Sequence, residues 1–165
     1  MTQRERSVKL TVAFDRTVGR PLYRVHVRLY RLTRGLIGHR SPVGPMLIMT
    51  VKGRKSGRPR SVTLLYYEAR GTFYVVGSNG GRPGHPTWLL NVRANADAHV
   101  QVGARRFDAL ARELTAAQRA SMWPELTNFY PGWAHYETLT DRTIAVIALE
   151  PTATTDATRR ATDLP

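Results

Sequence analysis

From Met46 to Leu149 the apolar runs of this chain come mostly in pairs hinged on glycine, and that pairing limits the fold more than any other feature. Ser61–Glu68 and Thr72–Ser78 flank Ala69-Arg70-Gly71, and His99–Val102 and Arg105–Ala111 flank Gly103-Ala104, so each pair reads as a hairpin. A lone strand is expected at each end, Met46–Val51 and the almost continuously apolar Thr143–Leu149. Helical spacing is confined to short segments. Pro86–Asn95 carries Trp88, Leu89 and Val92, and Thr115 with Gln118 forms a capping box for a helix bearing Met122, Trp123, Leu126 and Phe129, which Pro124 should kink or restart. The order strand, hairpin, short helix, hairpin, helices, strand predicts an α+β, mainly β fold: a small closed or split β-barrel of about six mostly antiparallel strands. No G-x-G-x-x-G follows a strand, which argues against a dinucleotide-binding βαβ unit.

At 165 residues the chain is sized for one domain. We expect a lead and basic helix over 1–44, the barrel over 45–151 and a flexible, small-residue tail over 152–165. There is no cysteine, no apolar run long enough to span a bilayer and no signal-peptide core, so a cytoplasmic protein is expected. From Pro21 to about Gly35, Leu22, Val25, Leu29 and Leu32 share one helical face, and Arg24, Arg28 and Arg31 another. Such a helix either lies on an anionic membrane, here its inner face, or packs on its own domain, and the shortness of the stripe favours packing.

Charge is distributed unevenly. Residues 1–42 carry ten Lys/Arg against two Asp/Glu, and residues 43–110 ten against three. Residues 111–165 reverse the balance, five against seven. The first two-thirds therefore suit an anionic partner. The charge concentrates at 50–60, Thr-Val-Lys-Gly-Arg-Lys-Ser-Gly-Arg-Pro-Arg, with five cations and two glycines between two expected strands. Gly53 and Gly57 permit positive φ and converging N–H groups, while Arg54, Lys55 and Ser56 supply donors for a phosphate. The loop lacks Walker A spacing, and a solvated basic turn is the alternative.

Four motifs in register, Gly53-Arg-Lys-Ser-Gly-x-Pro-Arg60, Ser78-Asn-Gly-Gly-x-Pro-Gly-His-Pro-x-Trp88-Leu-Leu-Asn91-x-Arg-Ala-Asn95, Tyr130-Pro-Gly-Trp-Ala-His-Tyr136 and Thr140-Asp-Arg-Thr-Ile144, resemble the deazaflavin-dependent nitroreductase family of actinobacteria over residues 22–151. The resemblance implies a split barrel related to the pyridoxamine-phosphate oxidases. It also implies coenzyme F-420, an 8-hydroxy-5-deazaflavin with a phosphate and an oligoglutamate tail. By motif position Arg54, Lys55 and Ser56 would hold the phosphate and Arg60 with Lys52 the tail. Val62, Thr63, Leu64, Gly77, Ser78 and Asn79 would line the ring, with Trp88 and Asn91 completing the pocket. On the acceptor side stand Leu65, Tyr130, Trp133 and Tyr136. Ser78, Tyr130 and Tyr136 are the catalytic candidates, and a Tyr hydroxyl or a water would be the proton source. For Trp88 and for the aromatic triplet, plain core packing is the competing reading.

The implied reaction is hydride transfer from the reduced deazaflavin to a quinone, activated alkene or nitroaromatic. Relatives commonly carry Thr at Lys52, Lys at Asn79, an aromatic at Leu65 and Tyr at Trp133, so nitroimidazole reduction is not implied for this member. Alternatives are an FMN-dependent oxidase on the same barrel and a non-catalytic deazaflavin carrier. Nucleic-acid binding is not expected, because most aromatics fall after the basic half or inside apolar strands rather than among the cations. No histidine pair has metal-ligand spacing, so no metal is expected, and a monomer is favoured.

Overall fold

A computed structural model describes residues 20–152 of the chain. The lead before residue 20 and nearly all of the expected tail lie outside the described residues. In order the elements are α1 (Arg20–Leu32), β1 (Arg40–Ser41), β2 (Gly44–Lys52), β3 (Pro59–Ala69), β4 (Thr72–Val76), a 3-10 turn (Asn79–Gly81), α2 (Thr87–Ala94), β5 (Asp97–Val102), β6 (Arg105–Glu113), α3 (Ala116–Phe129), α4 (Gly132–Glu137) and β7 (Val146–Pro151).

The strands run β1-β2-β3-β4-β7-β6-β5, and β5 returns to pair with β2. Ile48 faces Thr63 on one side and Gln101 on the other, so the sheet closes into a barrel of six long strands. Every pairing is antiparallel, as the paired hairpins predict.

Alternation along the strands sorts side chains into two layers. Leu47, Met49 and Val51 of β2, Phe73 and Val75 of β4, and Ile147 and Leu149 of β7 fill the interior, and Leu89 and Val92 of α2 close it. A second layer, built on Val76, Leu126, Trp133, Ile144 and Val146, lies beneath α3 and α4. The α3 capping box forms with both bonds: the Thr115 N–H donates to Gln118 Oε1 at 3.0 Å, and the Gln118 N–H to Thr115 Oγ1 at 3.3 Å. Pro124 neither ends nor restarts α3. Fully buried Leu126 on one side of it and Trp123, whose indole N–H donates to Glu137 at 3.0 Å, on the other hold both halves of the helix in place.

Helix α1 packs on the barrel, but not through the stripe the sequence marked. Val27 and Tyr30 are buried against Ile48 of β2. The Tyr30 hydroxyl donates to Met46 O at 2.8 Å and accepts from the Gly103 N–H at 2.9 Å. Val25, Leu29 and Leu32 face out, joined by Leu36 and Ile37 of the following turn. Anchoring therefore uses an aromatic with a polar end, and a helix of this length can then leave its opposite apolar face uncovered.

Candidate active site

The basic loop and the N-terminal half of α2 face each other across a groove of about 520 Å³. Arg54, Lys55, Ser56 and Arg60 line its loop side, Val62 its β3 side, and Trp88 and Asn91 its helix side. Ser61 and Thr87, which sequence reasoning did not single out, line it too. Asn91 is 4% exposed, and its carboxamide oxygen accepts from the Arg54 N–H at 3.2 Å and from Arg54 Nη1 at 3.3 Å. That buried amide couples the loop to α2.

The two glycines of the loop serve different ends. Gly57 has φ 66° and makes the turn. Gly53 does not have positive φ; a Cβ there would lie 3.0 Å from Arg58 O and 3.1 Å from Ser56 Oγ, so it is glycine for closeness. The Gly53 N–H donates to Arg58 O, and the Gly57 N–H to Gly53 O, which leaves the cationic side chains outside the turn. Among the described residues none of the five loop cations has a carboxylate partner. Positive charge on one wall and an apolar aromatic on the other fit a ligand with an anionic end and a flat ring, which is the fit F-420 requires.

Lys52 lies elsewhere. It lines the neighbouring groove with Gly57, Pro59 and His99, on the other side of the loop. Leu64 packs with Val62 against the barrel interior, whereas alternation places Thr63 on the opposite face of β3. Gly77, Ser78 and Asn79 follow β4. A Cβ on Gly77 would approach Leu89 of α2 to 3.1 Å, so this turn abuts the helix that carries Trp88 and Asn91. Ser78 is buried, Asn79 has φ 52°, and its side-chain NH2 donates to Gly84 O at 2.9 Å.

The acceptor-side residues come together in the second layer. Leu65 meets Phe129 over Gly44, where a Cβ would lie 2.8 Å from the Leu65 side chain and 3.3 Å from the Phe129 ring. Tyr130 closes the C-terminus of α3 and Tyr136 sits on α4, with their hydroxyl oxygens 3.5 Å apart. The neighbouring Tyr136 hydroxyl, and then burial, push the Tyr130 hydroxyl above its usual range, so it stays protonated at neutral pH. Trp133 is 3% exposed, with its ring edge-on to Tyr130 at 5.4 Å, so it lies behind Tyr130 in this layer, as the core-packing reading has it. The three aromatics come from two helices, since Tyr130 caps α3 and Pro131 starts α4.

One side chain that sequence reasoning passed over joins the two halves. Arg142 donates to Ser78 O at 2.6 Å and to Arg82 O at 3.2 Å. It stood inside a recognised motif, but nothing in its spacing marked it as a bracket for a turn 60 residues away. No group of three His, Asp or Glu able to hold a metal occurs among the described residues, and none of their helices is long and apolar enough to cross a membrane.

Residues 22–151 match the family model described as F-420H(2)-dependent quinone reductase. The chain belongs to this family. An F-420H(2)-dependent quinone reductase of Mycobacterium tuberculosis is 34% identical over 139 residues, 82% of this chain and 93% of that protein. A solved F-420-H2 dependent reductase is 41% identical with a TM-score of 0.60, covering 64% of this chain and 94% of its own. Another solved chain, a domain-swapped dimer, is 37% identical with a TM-score of 0.63, covering 74% of this chain and 92% of its own. Members of the family are oxidoreductases with coenzyme F-420 as cofactor, and the split barrel is their shared fold.

Proposed function

We propose that this protein reduces a quinone with reduced F-420, and that the groove between the basic loop and α2 holds the cofactor. The observation carrying this reading is that Arg54, Lys55 and Arg60, with no carboxylate partner among the described residues, face Trp88 and Asn91. Arg54, Lys55, Ser56 and Arg60 would bind the phosphate, while Val62, Leu64 and Trp88 would enclose the ring. When bound, the cofactor supplies a hydride. The protein orients the acceptor and excludes water with the aromatic layer of Tyr130, Tyr136 and Phe129. Tyr130, protonated at neutral pH, would give the proton that completes reduction, and Tyr136 at 3.5 Å would replace it. Paired titrations with F-420 and FMN at matched ionic strength, followed by anaerobic oxidation of the reduced cofactor with a quinone, test the proposal. Tighter binding of F-420 and quinone-dependent turnover are expected. Equal or tighter FMN binding would favour the FMN alternative, and binding without turnover the carrier.

A second inference concerns where the enzyme works. Val25, Leu29, Leu32 and Leu36 recur at i, i+4, i+7 and i+11 and are exposed, Leu32 by 81% and Leu36 by 92%. Arg28, Arg34 and Arg40 accompany them, and no acidic residue occurs between Asp15 and Glu68. An apolar face with only cations around it favours contact with an anionic lipid surface.

A further inference from the structure

The turn after β4 is gripped along its whole length by one segment. The Gly77 N–H donates to Ala145 O at 2.8 Å, and Arg142 reaches Ser78 O and Arg82 O. Gly81, with φ 73°, lies where a Cβ would be 2.7 Å from Leu139 and 3.1 Å from Tyr136 O. The segment that holds the turn thus begins at a catalytic candidate.

Ser78 is right-handed helical and Asn79 and Gly80 left-handed, a combination that turns successive N–H groups toward one concave side. The N–H groups of Ser78, Asn79 and Gly80 have no backbone acceptor among the described residues. Ser78 O, in contrast, takes two donors, Arg142 Nη2 and the Gly81 N–H at 3.0 Å. In a trans peptide the carbonyl and the following N–H point in opposite directions. By fixing Ser78 O on its own side, Arg142 therefore aims the Asn79 N–H directly away from itself. A guanidinium on that carbonyl also polarises the peptide and strengthens its N–H as a donor. Arg142 Nη1 is buried with no hydrogen-bond partner among the described residues, so the two carbonyl contacts are what hold the guanidinium there.

We propose that Arg142 is a positioning residue that presents the Asn79 N–H, flanked by those of Ser78 and Gly80, to an oxygen carrying negative charge in the site. Two sources can supply that oxygen. One is a carbonyl of the deazaflavin ring. The other is the acceptor: hydride addition to a quinone places the displaced electron pair on a quinone oxygen, which then takes one proton. The inference rests on the function proposed above.

The experiment compares wild type with Arg142→Lys and Arg142→Met by melting temperature, F-420 titration, quinone kinetics and the amide NMR signal of Asn79. Arg142→Lys is expected to melt within a few degrees of wild type. If the oxygen is the cofactor's, F-420 shifts the Asn79 signal in wild type, and Arg142→Lys at least halves that shift and weakens F-420 binding tenfold or more. If it is the acceptor's, Asn79 ignores the cofactor, and kcat falls tenfold or more with Kd and KM unchanged. A folded Arg142→Lys with wild-type kinetics, affinity and Asn79 response would overturn the proposal. So would a large loss of melting temperature in both variants, which would make Arg142 a fold residue only. Failure of wild type to bind F-420 is a separate result and would strike the proposed function itself.

Discussion

Arg31 on α1 donates to the Ser61 hydroxyl on β3 at 2.8 Å, and the same nitrogen reaches Thr50 Oγ1 at 3.0 Å. Ser61 lines the groove proposed for the cofactor, so the helix that carries the exposed apolar stripe is tied directly to the groove wall. Removing that helix should therefore touch both stability and cofactor affinity.

Tyr30→Phe tests the docking of α1 at its most buried point. The substitution removes one of the donors to Met46 O and takes from the Gly103 N–H the hydroxyl it donates to, which should destabilise the protein by about 1–3 kcal/mol in urea unfolding. An unchanged midpoint would mean that the Tyr30 hydroxyl contributes nothing to the docking of α1.

Lys55→Ala should weaken F-420 binding by roughly 1–3 kcal/mol with little change in melting temperature, because Lys55 is exposed and has no carboxylate partner among the described residues. Unaltered affinity in a fluorescence titration would return the loop to a solvated turn.

For the tyrosine pair, Tyr130→Phe should lower kcat about 10–100-fold with F-420 affinity preserved, at the modest end of what a positioned proton donor contributes. Tyr136→Phe should cost less, since Tyr130 would keep its own hydroxyl. Equal turnover in both variants would point to water as the donor.

Leu32→Asn combined with Leu36→Asn should reduce sedimentation with anionic vesicles several-fold and leave cofactor binding intact, because both side chains are exposed in the folded protein. Binding to anionic and neutral vesicles that is alike before and after the change would reject the lipid contact.

Acid should act in two stages. Burial first, then Arg93 and Arg142, hold the His85 imidazole below its usual 6.5, so the folded protein binds that proton less readily than the unfolded chain. Stability from this source is complete above pH 6.5 and fades as pH falls through the lower folded value. Hydrogen bonding from Arg93 leads the effects that hold the Glu113 carboxyl below 4.5, and its contribution is lost in turn below that pH. Melting temperature should be flat above pH 7 as far as these groups control it, and Glu113→Gln should remove the second stage and, by taking away a carboxylate that holds the His85 imidazole up, move the first stage to lower pH.

How far residues announce their own positions depends on how local the determining contact is. The Gly57 turn of the loop, the hairpins and the Thr115 capping box were legible because turn chemistry acts over a few residues, whereas Gly53 is glycine for a close approach to Arg58 O that local pattern does not mark. Trp133 was not, since its burial is set by Phe129, Tyr130 and the barrel's outer face, and spacing cannot say which side of an aromatic layer a ring takes. The stripe of α1 misled for a similar reason: periodicity identifies an apolar face, but Tyr30, with three polar partners on distant parts of the barrel, decides which face docks. Arg142 acts wholly through carbonyl oxygens, which every residue possesses and no sequence pattern marks.

Strand β2 meets β3 through a short connection, whereas its other ladder joins Ile48 to Gln101, more than 50 residues further along. A ribosome delivers the first pairing, with the cationic loop at its tip, well before the second can exist. Loop closure over that distance makes barrel completion the slow event, so the cationic end of the groove precedes the closed barrel in the life of each molecule. A chain stalled before β5 would already display its positive charge, and nascent or misfolded copies would be the ones most exposed to adventitious polyanions in the cell.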